Sequence, residues 1–489
     1  MAKKSIVIGS GFSGLAAAAC LAQGGHDVTI FEKNSSPGGR ARQFKENGFT
    51  FDMGPSWYWM PEVFDNFFAR FGKKTSDFYD LKRLSPSYKV FFDLTSSVDI
   101  PANETDLFAL FESEEKGSSE KLKLFLKEAK YKYEVGMNEF VWKPSHSVLE
   151  YMDPRIAISG MKLKMFSSIS SEIRKLFKSE RLIKLLEFPV LFLGAKPQKT
   201  PALYSLMNYA DLSLGTWYPM GGMHEIVKAM VRIAEEQGVT IHYNSPVDGI
   251  RTEAGKTTGA IVDGAFISAD YIVSSADYEH TDRVILGKQF SNYSADYWDK
   301  RLLAPSSLLF YLGINKKVPG LKHHNLFFDE SFDVHAQDIY DNPRYPDKPL
   351  FYSCIPSKTD ASVAPEGKEN MFLLLPLAAG LDDIESKRQH YFDYMINKLE
   401  FVSGEKIKNH ILYKRSYAMN DFVEDYNAFK GNAYGLANTL MQTAFLKPKL
   451  KNRKLNNFYY TGQLTTPGPG VPPSLISGQV VAKEILKDS

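Results

Sequence analysis

A short β-branched run, residues 5–8, passes directly into Gly9-Ser10-Gly11-Phe12-Ser13-Gly14 and then into an alanine-rich stretch, residues 15–23. No other feature restricts the fold so strongly. Strand, glycine loop and helix in that order predict the first unit of a Rossmann-like α/β domain with a parallel sheet. Gly9 makes the tight turn, Gly11 lets backbone N–H groups approach a pyrophosphate, and Gly14 lets helix and strand pack closely. Phe12 and Ser13 lie in the loop as cofactor-binding candidates, and the helix after it presents the positive dipole end of its N-terminus to the phosphates. A second strand, 27–31, ends at Glu32 and Lys33, about 20 residues past the loop, where a carboxylate accepts bonds from ribose hydroxyls. That carboxylate argues against a 2′-phosphate.

The chain has 489 residues, enough for two or three domains with self-sufficient cores. Apolar content of 44% and charged content of 24% are ordinary for globular domains. A net charge of +2 without a basic arm gives nucleic acid no electrostatic footprint. Two cysteines, Cys20 and Cys354, exclude a disulfide framework and every multi-cysteine zinc pattern, and predict a reducing, cytoplasmic setting. The apolar stretch after Lys3-Lys4 is broken by glycines, so it is not read as a signal peptide. No run reaches the ~20 apolar residues of a spanning helix.

The loop alone leaves open which dinucleotide it serves. Pro37-Gly38-Gly39-Arg40-Ala41-Arg42 follows, and a guanidinium there suits phosphate oxygens. This turn resembles the flavoprotein superfamily of amine oxidases, protoporphyrinogen oxidases and carotenoid desaturases, in which it meets the FAD pyrophosphate. The segment Asp52-Met53-Gly54-Pro55-Ser56 resembles the carotenoid desaturases, where it lies near the flavin ring and the substrate tunnel. Trp57-Tyr58-Trp59 would be core on composition alone; the resemblance favours a cavity wall. Gly221-Gly222 resembles the turn beneath the flavin ring, and Val247 matches the family position whose backbone meets the adenine. Residues 458–473, with Gly462, Gly470 and Val471, resemble the C-terminal signature of bacterial-type phytoene dehydrogenases, whose glycine-rich loop turns a helix N-terminus toward the flavin pyrimidine. Thr466 stands where many members have histidine, and Pro469 replaces a small residue.

Between residues 155 and 199 ten basic residues face three acidic ones, and Met161, Met165, Phe166, Ile169, Ile173, Leu176, Phe177, Leu182, Ile183, Leu185 and Leu186 recur at helical spacing. This predicts amphipathic helices with basic polar faces. A surface lying on anionic lipid and a solvated face over an ordinary core both fit. His323-His324 is not read as a metal site, because adjacent strand residues point to opposite sides and no further ligand lies at motif spacing. No hydrolase motif is present.

The expected architecture is a Rossmann-like FAD-binding domain (1–95, 215–300 and 451–489), a helical membrane-facing region (96–214) and an α+β substrate domain with its sheet part at 301–450. The resemblance implies FAD as cofactor, an apolar carotenoid as substrate and desaturation of phytoene toward lycopene by hydride transfer to flavin. Oxygen or a quinone would accept the electrons, and peripheral membrane contact would run through 155–199. A 1-hydroxycarotenoid 3,4-desaturase or a carotenoid cis–trans isomerase would share these motifs. No catalytic acid or base is legible.

Overall fold

The computed structural model describes residues 2–147, 150, 164, 167–191 and 194–488. The run after Lys4 does form a buried strand, Lys4–Ile8, at the middle of a five-stranded parallel sheet. Its neighbours are Asp27–Phe31 and then Thr240–His242 on one side, Tyr271–Ser274 and then Phe458–Tyr460 on the other. Three distant stretches of chain thus complete one sheet. The apolar residues of Lys4–Ile8 are buried on both faces of the sheet, Val7 among helix side chains such as Leu15 and Val480, and Ile6 and Ile8 with Val247, Ala260 and Val262.

The glycine-loop helix spans Phe12–Gln23 and starts three residues earlier than the alanine run suggests, with Gly11 as its N-cap. It packs against His224–Glu236 and against the closing helix, Val471–Asp488. The closing helix also starts early, at Val471, where the sequence pattern predicts a helix over 475–486. Pro472 and Pro473 fall in its first turn, where the missing N–H groups would have had no helical partner. The contact between the first and last helices is backbone on backbone: a Cβ built on Gly478 would lie 2.2 Å from the Ser13 carbonyl oxygen.

A seven-stranded mixed sheet forms the second layer, in the order Ile411–Tyr417, Ser306–Ile314, Glu369–Leu377, Phe351–Cys354, His324–Phe327, Tyr88–Phe91 and Ser97–Ile100. All nine residues of Ser306–Ile314 are buried, so the strand is covered on both faces. Tyr88–Phe91, early in the chain, joins this sheet in parallel beside His324–Phe327. Antiparallel strands Val247–Glu253, Lys256–Val262 and Ala265–Ser268 flank the nucleotide side.

Within the basic stretch, Arg155, Met161, Lys162, Met165 and Phe166 lie outside the described residues. The described part forms Ile169–Leu176 and Glu180–Leu191. Its apolar faces turn inward: Ile169, Ile173, Phe177, Leu182 and Leu186 are fully buried. Many of its cations are paired, Arg174 with Glu180 at 2.8 Å, Lys175 with Glu172 at 2.6 Å, Arg181 with Glu114 at 3.0 Å and Lys164 with Glu128 at 2.9 Å. Lys196 and Lys199 both reach Asp341. Among the described residues, no helix is long and apolar enough to cross a membrane.

Candidate active site

A cavity of about 790 Å³ begins at the carboxyl ends of the parallel strands and runs on between the two layers. Gly9, Gly11, Phe12, Ser13, Glu32, Lys33, Gly39, Arg40, Gly54, Pro55, Ser56, Val247, Gly462, Gly470 and Val471 all line it. Gly14 lies beneath the loop, where a Cβ would come within 2.1 Å of the Gly9 carbonyl oxygen. No side chain fits there, and the helix can sit directly on the turn.

Glu32 is buried, and the protein already engages both of its carboxylate oxygens. The Ser10 backbone N–H and hydroxyl donate to Oε2, each at 2.8 Å, and Asn34 donates to Oε1 through its backbone N–H at 2.9 Å and its Nδ2 at 3.1 Å. A ribose hydroxyl would gain access by turning aside one of the side-chain donors; the backbone donors are fixed. Lys33 Nζ donates to the Glu424 carbonyl at 2.6 Å and tethers the 424–427 segment across the cavity mouth.

Arg40 supplies the clearest test of whether a dinucleotide fits. Its Nη2 donates to the Asn432 carbonyl at 3.2 Å, yet its buried Nε has no partner among the described residues. Burial pushes the guanidinium pKa down and the nearby Asp277 opposes that shift. A buried guanidinium with an idle donor on the wall of a glycine-lined cavity suits a phosphate oxygen. Tyr426 holds this corner together, with Arg40 5.2 Å and Arg42 5.3 Å from its ring centroid, while Arg42 pairs with Asp425 at 2.5 Å. Neither Tyr426 nor Asp425 carries a sequence motif.

The far half of the cavity is apolar, lined by Phe188, Leu326, Phe328, Phe332, Ile339 and Leu374. The aromatic triplet divides by strand-like alternation. Trp57 and Trp59 face the cavity, whereas Tyr58 is buried, packs on Phe64 and bonds the Tyr79 hydroxyl at 3.0 Å. The Gly221-Gly222 turn does not line this cavity. It packs on Asp52, whose carboxylate accepts from the Met223 and His224 N–H groups at 2.7 and 3.2 Å and whose pKa burial pushes up to about 6.

His323 and His324 also depart from expectation. His323 precedes the strand His324–Phe327, so strand alternation does not govern it, and the two rings lie 4.5 Å apart, centroid to centroid. Cys354 stands opposite His324 in the neighbouring strand. A third buried cluster, also without a sequence signal, surrounds the closing loop. Lys447 Nζ, Asn438 Oδ1 and Thr466 Oγ1 have no partner among the described residues, and a Cβ on Gly468 would lie 3.3 Å from the first and 3.4 Å from the second. Burial holds the Lys447 ammonium down at about 7.

Residues 12–486 match the family of flavin containing amine oxidoreductases. The chain is 39% identical to a carotenoid 3,4-desaturase of Haloarcula japonica, over 99% of this chain and 98% of that protein. It is 31% identical to a zeta-carotene-forming phytoene desaturase of Myxococcus xanthus, over 99% of this chain and 94% of that protein. An oxidoreductase from Methanosarcina mazei has the same fold, with a TM-score of 0.66 at 18% identity, covering 98% of this chain and 100% of that one. On these matches and this geometry, the chain belongs to the flavin containing amine oxidoreductases and, within them, to the carotenoid desaturases.

Proposed function

We propose that this protein desaturates a carotenoid, holding FAD along the glycine loop, Glu32 and Arg40, with the polyene in the apolar half of the same cavity. The observation that carries the reading is the continuity of the two halves: a wall of glycines and a guanidinium passes without a break into a wall of aromatic and aliphatic side chains. Bound FAD supplies a hydride acceptor. The chain's own part is to bind, orient and exclude water. Gly9, Gly11 and Gly39 bring backbone up to the cofactor, and Arg40 neutralises phosphate. Trp57, Trp59, Phe188 and Phe372 offer a polyene apolar contact, so shape contributes most to its position. The helix starting at Val471 turns its positive dipole end toward the cavity; Pro472 and Pro473 carry no N–H, so the dipole and the Val471 N–H are what favour negative charge there.

Phytoene, carried toward lycopene, is the substrate the closing-loop resemblance supports. A second reading, 3,4-desaturation, is supported by the higher identity to the Haloarcula protein. Oxygen or a quinone would reoxidise the flavin. Collection of substrate from a lipid surface rests on the low aqueous solubility of a polyene, and the inward-facing apolar residues of 169–186 move that contact away from those helix faces.

The test is anaerobic incubation of the FAD-loaded protein with phytoene in liposomes, following flavin bleaching and visible polyene absorption together. Joint change supports phytoene desaturation. An unbleached flavin with phytoene, and bleaching with a 1-hydroxycarotenoid, would move the assignment to 3,4-desaturation. Isomerised polyene with no demand for an acceptor would overturn desaturation.

A further inference from the structure

His324 and Cys354 are register partners in adjacent antiparallel strands, so their side chains leave the sheet on the same side. His323, just before the strand, folds its ring beside them. One ligand atom from each of the three lies within 4.8 Å of the others, and all three residues are buried, at 5%, 0% and 2% exposure. Buried imidazoles normally have both ring nitrogens satisfied. Here only one of each pair is. His323 Nδ1 and the Thr359 hydroxyl hydrogen-bond at 2.8 Å, and His324 Nδ1 and the Tyr352 hydroxyl at 2.5 Å, while both buried Nε2 atoms have no partner among the described residues.

This is the arrangement of metal-bound histidines, in which the nitrogen away from the ion is held by an outer hydrogen-bonding group. We propose that His323, His324 and Cys354 bind one zinc ion, with a water at the fourth position. The adjacent void of about 20 Å³, lined by His323 and Cys354 together with Ser56, Asp52 and Tyr218, has room for that water. Two imidazoles and a thiolate select a borderline or soft ion over magnesium or calcium, which take oxygen ligands. Ligand atoms around a tetrahedral zinc stand roughly 3.5 Å apart, so binding draws the three together by about an ångström. Zinc stays divalent and the Cys354 thiol releases its proton on binding; no electron is transferred.

The site ties the 323–327 and 351–354 strands together behind the cavity wall, where Trp57 covers His324. The site stands independently of the carotenoid reading.

The experiment is elemental analysis of the untagged, FAD-loaded protein produced with added zinc and purified without chelator, alongside Cys354→Ser and His324→Gln. The expected result is about one zinc per chain in the unaltered protein and a loss of at least roughly tenfold in either variant. Cobalt added to stripped protein should give a thiolate-to-cobalt absorption that vanishes in Cys354→Ser. Zinc-free protein without the cobalt band, or equal zinc in the unaltered protein and Cys354→Ser, overturns the proposal. Should the variants fail to fold, the cobalt spectrum of the unaltered protein decides alone: thiolate absorption supports the site and its absence overturns it.

Discussion

Trp57 lies flat on His324, with ring centroids 4.1 Å apart and planes 8° from parallel. The indole also lines the cavity, so the ring belongs to both core and wall. Trp57→Ala removes the stack and opens the wall. Stability should fall by about 3 kcal/mol, read by urea unfolding of the FAD-loaded protein, and the concentration of carotenoid needed for half-maximal flavin bleaching should rise. Trp57→Phe should recover most of both. A loss below about 0.5 kcal/mol would show that the ring does not seal the wall.

Arg40→Lys keeps the charge and loses the planar fork, including the Nε that finds no protein partner. FAD should bind about 10- to 100-fold more weakly, as expected for loss of a charge-assisted bond worth ~1.5–3 kcal/mol. Flavin fluorescence during titration of the apoprotein measures it, and undiminished affinity would remove Arg40 from the cofactor site.

Gly478→Ala should invert the usual rule. Alanine in a helix interior ordinarily gains about 1 kcal/mol over glycine. Here the new methyl would meet the Ser13 carbonyl oxygen at 2.2 Å and the Ala16 Cβ at 2.9 Å. Overpacking costs ~1–3 kcal/mol, so Tm should drop, and FAD retention with it because Ser13 lines the cavity proposed to hold FAD. A raised Tm would mean that the first and last helices can separate without penalty.

Lys447 makes stability depend on pH. Burial lowers its folded pKa to about 7 from the ordinary lysine value of 10.5, so between these values the unfolded chain binds more protons. The contribution of this group is therefore most favourable above about pH 10.5, falls as pH drops, and is fully lost below about pH 7. Lys447→Met should stabilise the apoprotein by on the order of 2–4 kcal/mol at pH 7, with the gain vanishing near pH 10.5. Chemical unfolding of both proteins across that range checks it; a gain independent of pH would assign the effect to packing.

The nucleotide half was legible because its signals are local. Gly9, Gly11, Gly14 and Glu32 lie within a single βαβ unit, where backbone sterics and hydrogen-bond reach fix both the fold and the ligand end. Gly54, Ser56, Gly462 and Gly470 were found through resemblance, and they line the same cavity as the loop. Helix starts were read late at both Phe12 and Val471, since Gly11 and a pair of prolines look like loop until their place in a first turn is known.

The chain by itself determined a strand, a loop and a helix able to meet a dinucleotide. It could not determine which distant residues would share a point in space. Asp425 and Tyr426 reach the Gly-Gly-Arg turn from nearly four hundred residues away, Gly478 is required by a carbonyl on another helix, and His324 meets Cys354 only because two strands adopt one register. A local motif records short-range geometry, whereas these contacts depend on long-range packing that no short stretch of sequence encodes.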